Sequence, residues 1–172
     1  VPVLPVRQGS KIFVDGLDPE QAKSFGTMVS SADQADVIIL YLPSIFNGNQ
    51  TPGSDELMDK LVSSILPDDN LAFNIAVLDK AKAYSETATL ITVVDLNRPA
   101  ILTELDQISD GLIGTFGVYE SILFEMIFGQ FSPQGKLPFE IPSSMAAVMA
   151  QKEDLPDDSV APIFKFGHGL SY

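Results

Sequence analysis

No cysteine occurs among the 172 residues. Disulfides, thiol catalysis and cysteine-ligated metals are therefore excluded. Tryptophan is absent too, and the single histidine is His168. Basic residues are scarce: ten Lys and Arg stand against twenty-three Asp and Glu, a net charge of −13. No basic stripe is available to neutralise phosphates, so nucleic acid is excluded as a partner. An anionic membrane surface is excluded on the same ground. No apolar run approaches the roughly eighteen residues of a membrane-spanning helix, and no signal peptide is visible. The opening Val1-Pro-Val-Leu-Pro-Val6 reads as an extended entry strand or linker. The expectation is a piece of a longer polypeptide, and the compartment stays open.

What is present describes an ordinary globular chain, 45% hydrophobic and 19% charged. Its length suits one domain with a sizeable core. Lys11 to Val14 is a short apolar run ending at the turn signal Asp15-Gly16. Asp18-Pro-Glu20 opens a helix that Gly26 closes, and Ser30 or Ser31 starts a second short one. Val37 to Leu42 and Leu90 to Leu96 are unbroken apolar runs, as expected of strands covered on both faces. Pro43 to Glu56 reads as a long loop rich in Asn, Gly and Pro. Leu57, Leu61 and Ile65 recur at helical spacing, and Leu71, Ile75 and Leu78 define the apolar face of the next helix. A short helix is expected over Ala100 to Leu105, a strand over Gly111 to Gly117, and an amphipathic helix through Ile122, Leu123, Met126 and Ile127 that closes at Gly129. Strands alternating with helices predict an α/β fold, a mainly parallel sheet sandwiched by helices.

The C-terminal part is different. Phe128-Gly-Gln-Phe-Ser-Pro-Gln-Gly-Lys-Leu-Pro-Phe-Glu-Ile-Pro142 and Pro162-Ile-Phe-Lys-Phe-Gly-His-Gly-Leu-Ser-Tyr172 are punctuated by glycine and proline. Such runs make neither a regular helix nor a central strand. They predict a long ordered coil, pinned by buried Phe139, Phe164 and Phe166. These two motifs resemble the C-terminal domain of glycoside hydrolase family 3, the β-glucosidase family. Asp95-Leu-Asn-Arg-Pro99 and Leu4-Pro-Val6 extend the likeness over essentially the whole chain. The resemblance implies the second domain of a retaining β-glycosidase acting on terminal β-linked sugars, without a cofactor. It implies an N-terminal barrel domain as partner within one polypeptide, bearing the nucleophilic Asp, and a carbohydrate substrate. A homodimer through an orphaned interface is a further partner to expect.

In an open parallel sheet, ligands meet the carboxyl ends of the strands. Three loops qualify: Pro43 to Glu56, Asp95 to Arg98, and Phe116 to Glu120. The resemblance implies that the first lends a general acid/base. Its carboxyls are Asp55 and Glu56, which also suit the capping of a helix at Leu57. Asn47, Asn49 and Gln50 suit either sugar hydroxyls or a solvated loop. Asp95 and Arg98 suit a structural pair at a strand end, and Glu120 a helix N-terminal acid. His168, between two glycines, forms no triad order and reads as part of the closing coil. The acidic stretch Glu153 to Asp158 lacks calcium-loop spacing and reads as a solvated turn. No phosphate loop or serine elbow is present. Two other readings remain: a non-catalytic carbohydrate-binding or scaffold module, and an unrelated flavodoxin-like domain. Against the latter, Asp15-Gly-Leu-Asp-Pro19 puts acid where a phosphate would sit.

Overall fold

The computed structural model describes residues 3–45, 71–152, 154–155 and 157–172. Five strands run in parallel: β1 (Lys11–Asp15), β2 (Thr27–Met28), β3 (Val37–Leu42), β4 (Thr89–Asp95) and β5 (Gly111–Thr115). Their order across the sheet is β2-β1-β3-β4-β5. Parallel neighbours cannot be joined by a hairpin, so each link is a crossover. Helix α1 (Ile75–Ser85) precedes β4, α2 (Thr103–Ile108) precedes β5, and α3 (Glu120–Ile127) follows it. A last short helix, α4 (Met145–Met149), interrupts the C-terminal coil.

The apolar runs are unbroken because alternate residues serve opposite faces. Ile12, Val37, Ile39, Ile91 and Val93 meet Leu123, Phe124 and Ile127 of α3 on one face. Ile38, Leu40, Leu42, Leu90 and Val94 meet Ala81 of α1 and Leu105 of α2 on the other. Buried Thr92 fits this scheme because its hydroxyl lies 2.6 Å from Ser109 Oγ. At the amino edge of the sheet, Asp36 and Asp110 accept the N–H groups of Lys11 and Leu90 at 2.8 and 2.9 Å.

Local expectations need correction in several places. The helix expected from Asp18 is a single 3-10 turn, Pro19–Ala22, with Asp18 Oδ1 accepting from Glu20 N. The chain then enters β2, which no apolar run announces. Gly26 admits it: a Cβ there would stand 2.7 Å from Ile12 Cδ1. Ser31 does precede a second 3-10 turn, Ala32–Gln34. Helix α2 starts at Thr103 rather than Ala100, because Ala100, Ile101 and Leu102 are spent on the core. Helix α1 begins at Ile75, where Asn74 Oδ1 accepts from Val77 N. Its apolar face is rotated from the expected one: Ile75 is 72% exposed, while Val77, Leu78 and Tyr84 pack on the sheet.

The two C-terminal motifs are zipped to one another. Leu137 N donates to His168 O at 2.8 Å and Gly167 N to Leu137 O at 2.9 Å. Ile141 N donates to Phe164 O at 2.8 Å, and Ile163 N to Ile141 O at 3.0 Å. Ile141 is fully buried, with Phe139 and Phe164 half-buried beside it. Phe166 departs from the expectation and is exposed, because it sits in a turn closed by His168 N donating to Lys165 O at 3.0 Å.

Candidate functional site at the carboxyl edge of the sheet

All five strands end on the same edge. From β1 the chain crosses to β2 on one side and returns to β3 on the other. Loops that diverge in this way leave a crevice where ligands bind in doubly wound sheets. Here the crevice is pinched. Gly16 has φ +87, and a Cβ on it would stand 2.7 Å from Tyr41 O.

Two carboxylates at this edge each hold a tyrosine. Asp15 Oδ2 accepts Tyr84 OH at 2.9 Å and Lys80 Nζ at 3.1 Å. Asp95 Oδ1 accepts Asn97 N at 3.0 Å, and its Oδ2 accepts Asn97 Nδ2 at 3.0 Å and Tyr41 OH at 3.4 Å. Burial pushes Tyr84 up to about 12, helped by the hydrogen bond to Asp15 and by its charge. Burial also raises Tyr41, with the charges of Asp95 and Glu120 adding to it. Both phenols are therefore held as donors.

Glu120, the first residue of α3, reaches across the edge. Its Oε2 accepts Asp18 N at 2.7 Å, tying the loop after β1 to the loop after β5. Between them lies an open depression of about 290 Å³ lined by Asp18, Gln21, Tyr119, Glu120 and Ser121. Tyr119 is 84% exposed beside it, and Phe116, Val118 and Ile122 are also exposed. Ser44, where the loop after β3 begins, is buried with no hydrogen-bond partner for its Oγ among the described residues. No group of acidic or histidine side chains among the described residues has metal-site geometry. Carboxylates, phenols and an amide suit hydrogen bonding to a neutral hydroxylated ligand.

Of the expected site residues, Asn47, Asn49, Gln50, Asp55 and Glu56 lie outside the described residues, as does the helical stretch expected from Leu57. Asp95 does hold a strand end, through Asn97 and Tyr41. Glu120 is a helix N-terminal acid, and it also clamps a second loop. Tyr41 and Gln21 escaped the sequence reading, and Asp18 entered it only as a helix opener, because only the parallel register brings these positions to one edge. His168 belongs to the coil, its ring stacked on Phe164 at 4.8 Å. Asp158 Oδ2 accepts Lys152 N at 3.1 Å within the acidic turn.

The model of the glycosyl hydrolase family 3 C-terminal domain matches residues 8–172. The chain belongs to that family. Among curated proteins, this family 3 domain is 34% identical to "Probable beta-glucosidase C" of Aspergillus flavus, covering 100% of the chain and 26% of the relative. It is 34% identical to the "Periplasmic beta-glucosidase/beta-xylosidase" of Dickeya chrysanthemi, covering 99% of the chain and 25% of the relative. Among solved structures, the beta-glucosidase from Listeria innocua in complex with isofagomine superposes with TM-score 0.68 at 16% identity, covering 99% of this chain and 31% of that one. That likeness bears on the fold alone. The family 3 domain thus spans about a quarter of the length of these curated relatives. The strand order is one that flavodoxin-like sheets share, but the kinship is with family 3.

Proposed function

We propose that the polypeptide carrying this chain is a retaining β-glycosidase that hydrolyses terminal β-linked sugars, as a β-glucosidase. The 172 residues form one α/β sandwich domain in it, following an N-terminal barrel. They wall one side of the sugar pocket and buttress the barrel. The observation that carries this reading is the family match over residues 8–172, joined to relatives named β-glucosidase that align with the whole chain. The acidic carboxyl edge, free of a basic cluster among the described residues, supports a neutral substrate. The exposed residues Phe116, Val118 and Ile122 supply a surface for the barrel or for a second copy of the chain.

A retaining mechanism needs a nucleophile and an acid/base on opposite sides of the scissile bond. Asp55 and Glu56, which follow β3 in the sequence, are the acid/base candidates of this chain, with Asn47, Asn49 and Gln50 as sugar contacts. The test is separate Asp55→Asn and Glu56→Gln substitution in the full-length protein. Loss of the acid depresses turnover strongly on poor leaving groups and less on activated aryl glucosides. Full activity of both variants on both substrate types removes both residues from the mechanism and leaves the domain a scaffold.

A further inference from the structure

We propose that Met145 is a methionine-oxidation site whose thioether acts as a peroxide-sensitive clasp on the C-terminal coil. The proposal goes beyond the glycosidase reading and does not rest on it. Met145 is the first residue of α4 and is half-buried. Its Sδ accepts the backbone N–H of Leu71 at 3.3 Å. Leu71 O in turn accepts Ile101 N at 2.8 Å, and Ala72 pairs with Ile101 in an isolated parallel bridge. Thr103 Oγ1 donates to Ser143 O at 2.7 Å, two residues before the sulfur. The thioether thus ties the stretch before α1 to the C-terminal coil, and Leu71 O carries the tie on to the segment between β4 and α2.

A thioether sulfur is a weak acceptor and a good nucleophile toward peroxide. One lone pair of Met145 Sδ faces Leu71 N–H, and the other is free to attack. That pair forms an S–O bond as the O–O bond of hydrogen peroxide breaks. The departing hydroxide takes the proton of the transferred hydroxyl and leaves as water. The sulfur is oxidised by two electrons to the sulfoxide, and the peroxide is reduced. A sulfoxide sulfur carries partial positive charge, so it repels the N–H that the thioether accepted. Oxygen added to the engaged lone pair would instead stand between sulfur and nitrogen. Either product unmakes the bond and leaves a part-buried donor without its acceptor. Met149, one turn further along α4, is the contrast: it is 75% exposed, and its oxidation adds a polar group where water already stands. A methionine that only filled space at position 145 would leave the Leu71 amide indifferent to peroxide.

The experiment treats the full-length protein with hydrogen peroxide, maps the added oxygen by peptide mass spectrometry, and follows amide hydrogen exchange at Leu71 and Ile101. Wild type and Met149→Leu are expected to gain an oxygen on Met145 and to exchange the Leu71 amide about tenfold faster, the effect of one unmade hydrogen bond. Reduction by methionine sulfoxide reductases of both stereospecificities is expected to restore slow exchange. Met145→Leu keeps the volume of the side chain but not its acceptor. Its Leu71 amide is expected to exchange fast from the start and to ignore peroxide. The wild-type and Met149→Leu arms decide the proposal even if that variant fails to fold. Met145 left unoxidised where Met149 is fully converted overturns the site. So does Met145 sulfoxide with Leu71 exchange within about twofold of the untreated protein. A peroxide response in folded Met145→Leu equal to that of wild type, or a loss of protection that the reductases do not reverse, overturns the clasp as well.

Discussion

Aspartate does different work at the two ends of the strands. At the amino edge, Asp36 and Asp110 satisfy strand N–H groups. At the carboxyl edge, Asp15 and Asp95 collect tyrosine hydroxyls. The Asp15–Lys80 ion pair is half-exposed and contributes little by itself. Tyr84 is the more telling partner. Its folded pKa lies at about 12 against an ordinary 10.0. The stability it confers is fully present below pH 10 and is lost as pH rises toward 12, because the unfolded chain releases that proton first. Tyr84→Phe is expected to cost about 1.5 kcal/mol near neutrality, the low end for one hydrogen bond to a charged acceptor. It should also flatten the fall in stability across that alkaline window. Urea unfolding of both proteins on either side of pH 10 measures this, and equal losses would refute the role given to Tyr84.

At the scale of elements, the paired C-terminal motifs are the clearest case of sequence and structure agreeing. Their glycines are not interchangeable. A Cβ on Gly169 would land on the Gly135 carbonyl oxygen, with Lys136 Cδ 3.0 Å away. A Cβ on Gly135 would meet nothing within 4 Å. Lys136 Nζ also donates to Gly169 O at 2.6 Å, so the two strands of coil are locked at this point. Gly169→Ala is therefore expected to cost about 1–3 kcal/mol, through overpacking. Gly135→Ala should change stability by less than about 0.5 kcal/mol. Thermal unfolding compares them, and similar midpoints for the two variants would falsify the close approach. The glycines of β5 follow the same logic. A Cβ on Gly114 would stand 2.6 Å from Leu96 Cδ1, so β5 packs closely against a leucine side chain.

At the scale of the whole molecule, the sheet is covered on both faces while its carboxyl edge is left with exposed apolar and acidic groups. A retaining glycosidase cannot draw both of its carboxyl roles from this edge if the nucleophile belongs to a barrel. The 172 residues expressed alone are thus expected to fold and to show no turnover of aryl β-glucosides. Circular dichroism and a chromogenic assay check both halves. Turnover that survives removal of contaminating glucosidase would contradict the division of labour proposed here.

The sequence by itself determined the α/β class, β3 and β4, and the family, because buried strands need long apolar runs and the glycine-proline motifs tolerate few other backbones. It also located the coil, though not the exposure of Phe166. Short or polar elements escaped it. β2 has two residues and no pattern, and Gly26 just before it leaves no room for a side chain against the Ser10 carbonyl and Ile12. The start of α2 was misplaced because Ala100 to Leu102 look helical yet are claimed by the core. Of the candidate loops, those holding Asp95 and Glu120 were legible, and residues 46–56 of the first lie outside the described residues. That Glu120 clamps Asp18, and that Tyr41 reaches Asp95, was decided by tertiary structure alone. These contacts join residues far apart in the chain, and the parallel register that aligns their strand ends leaves no mark on the local pattern of either.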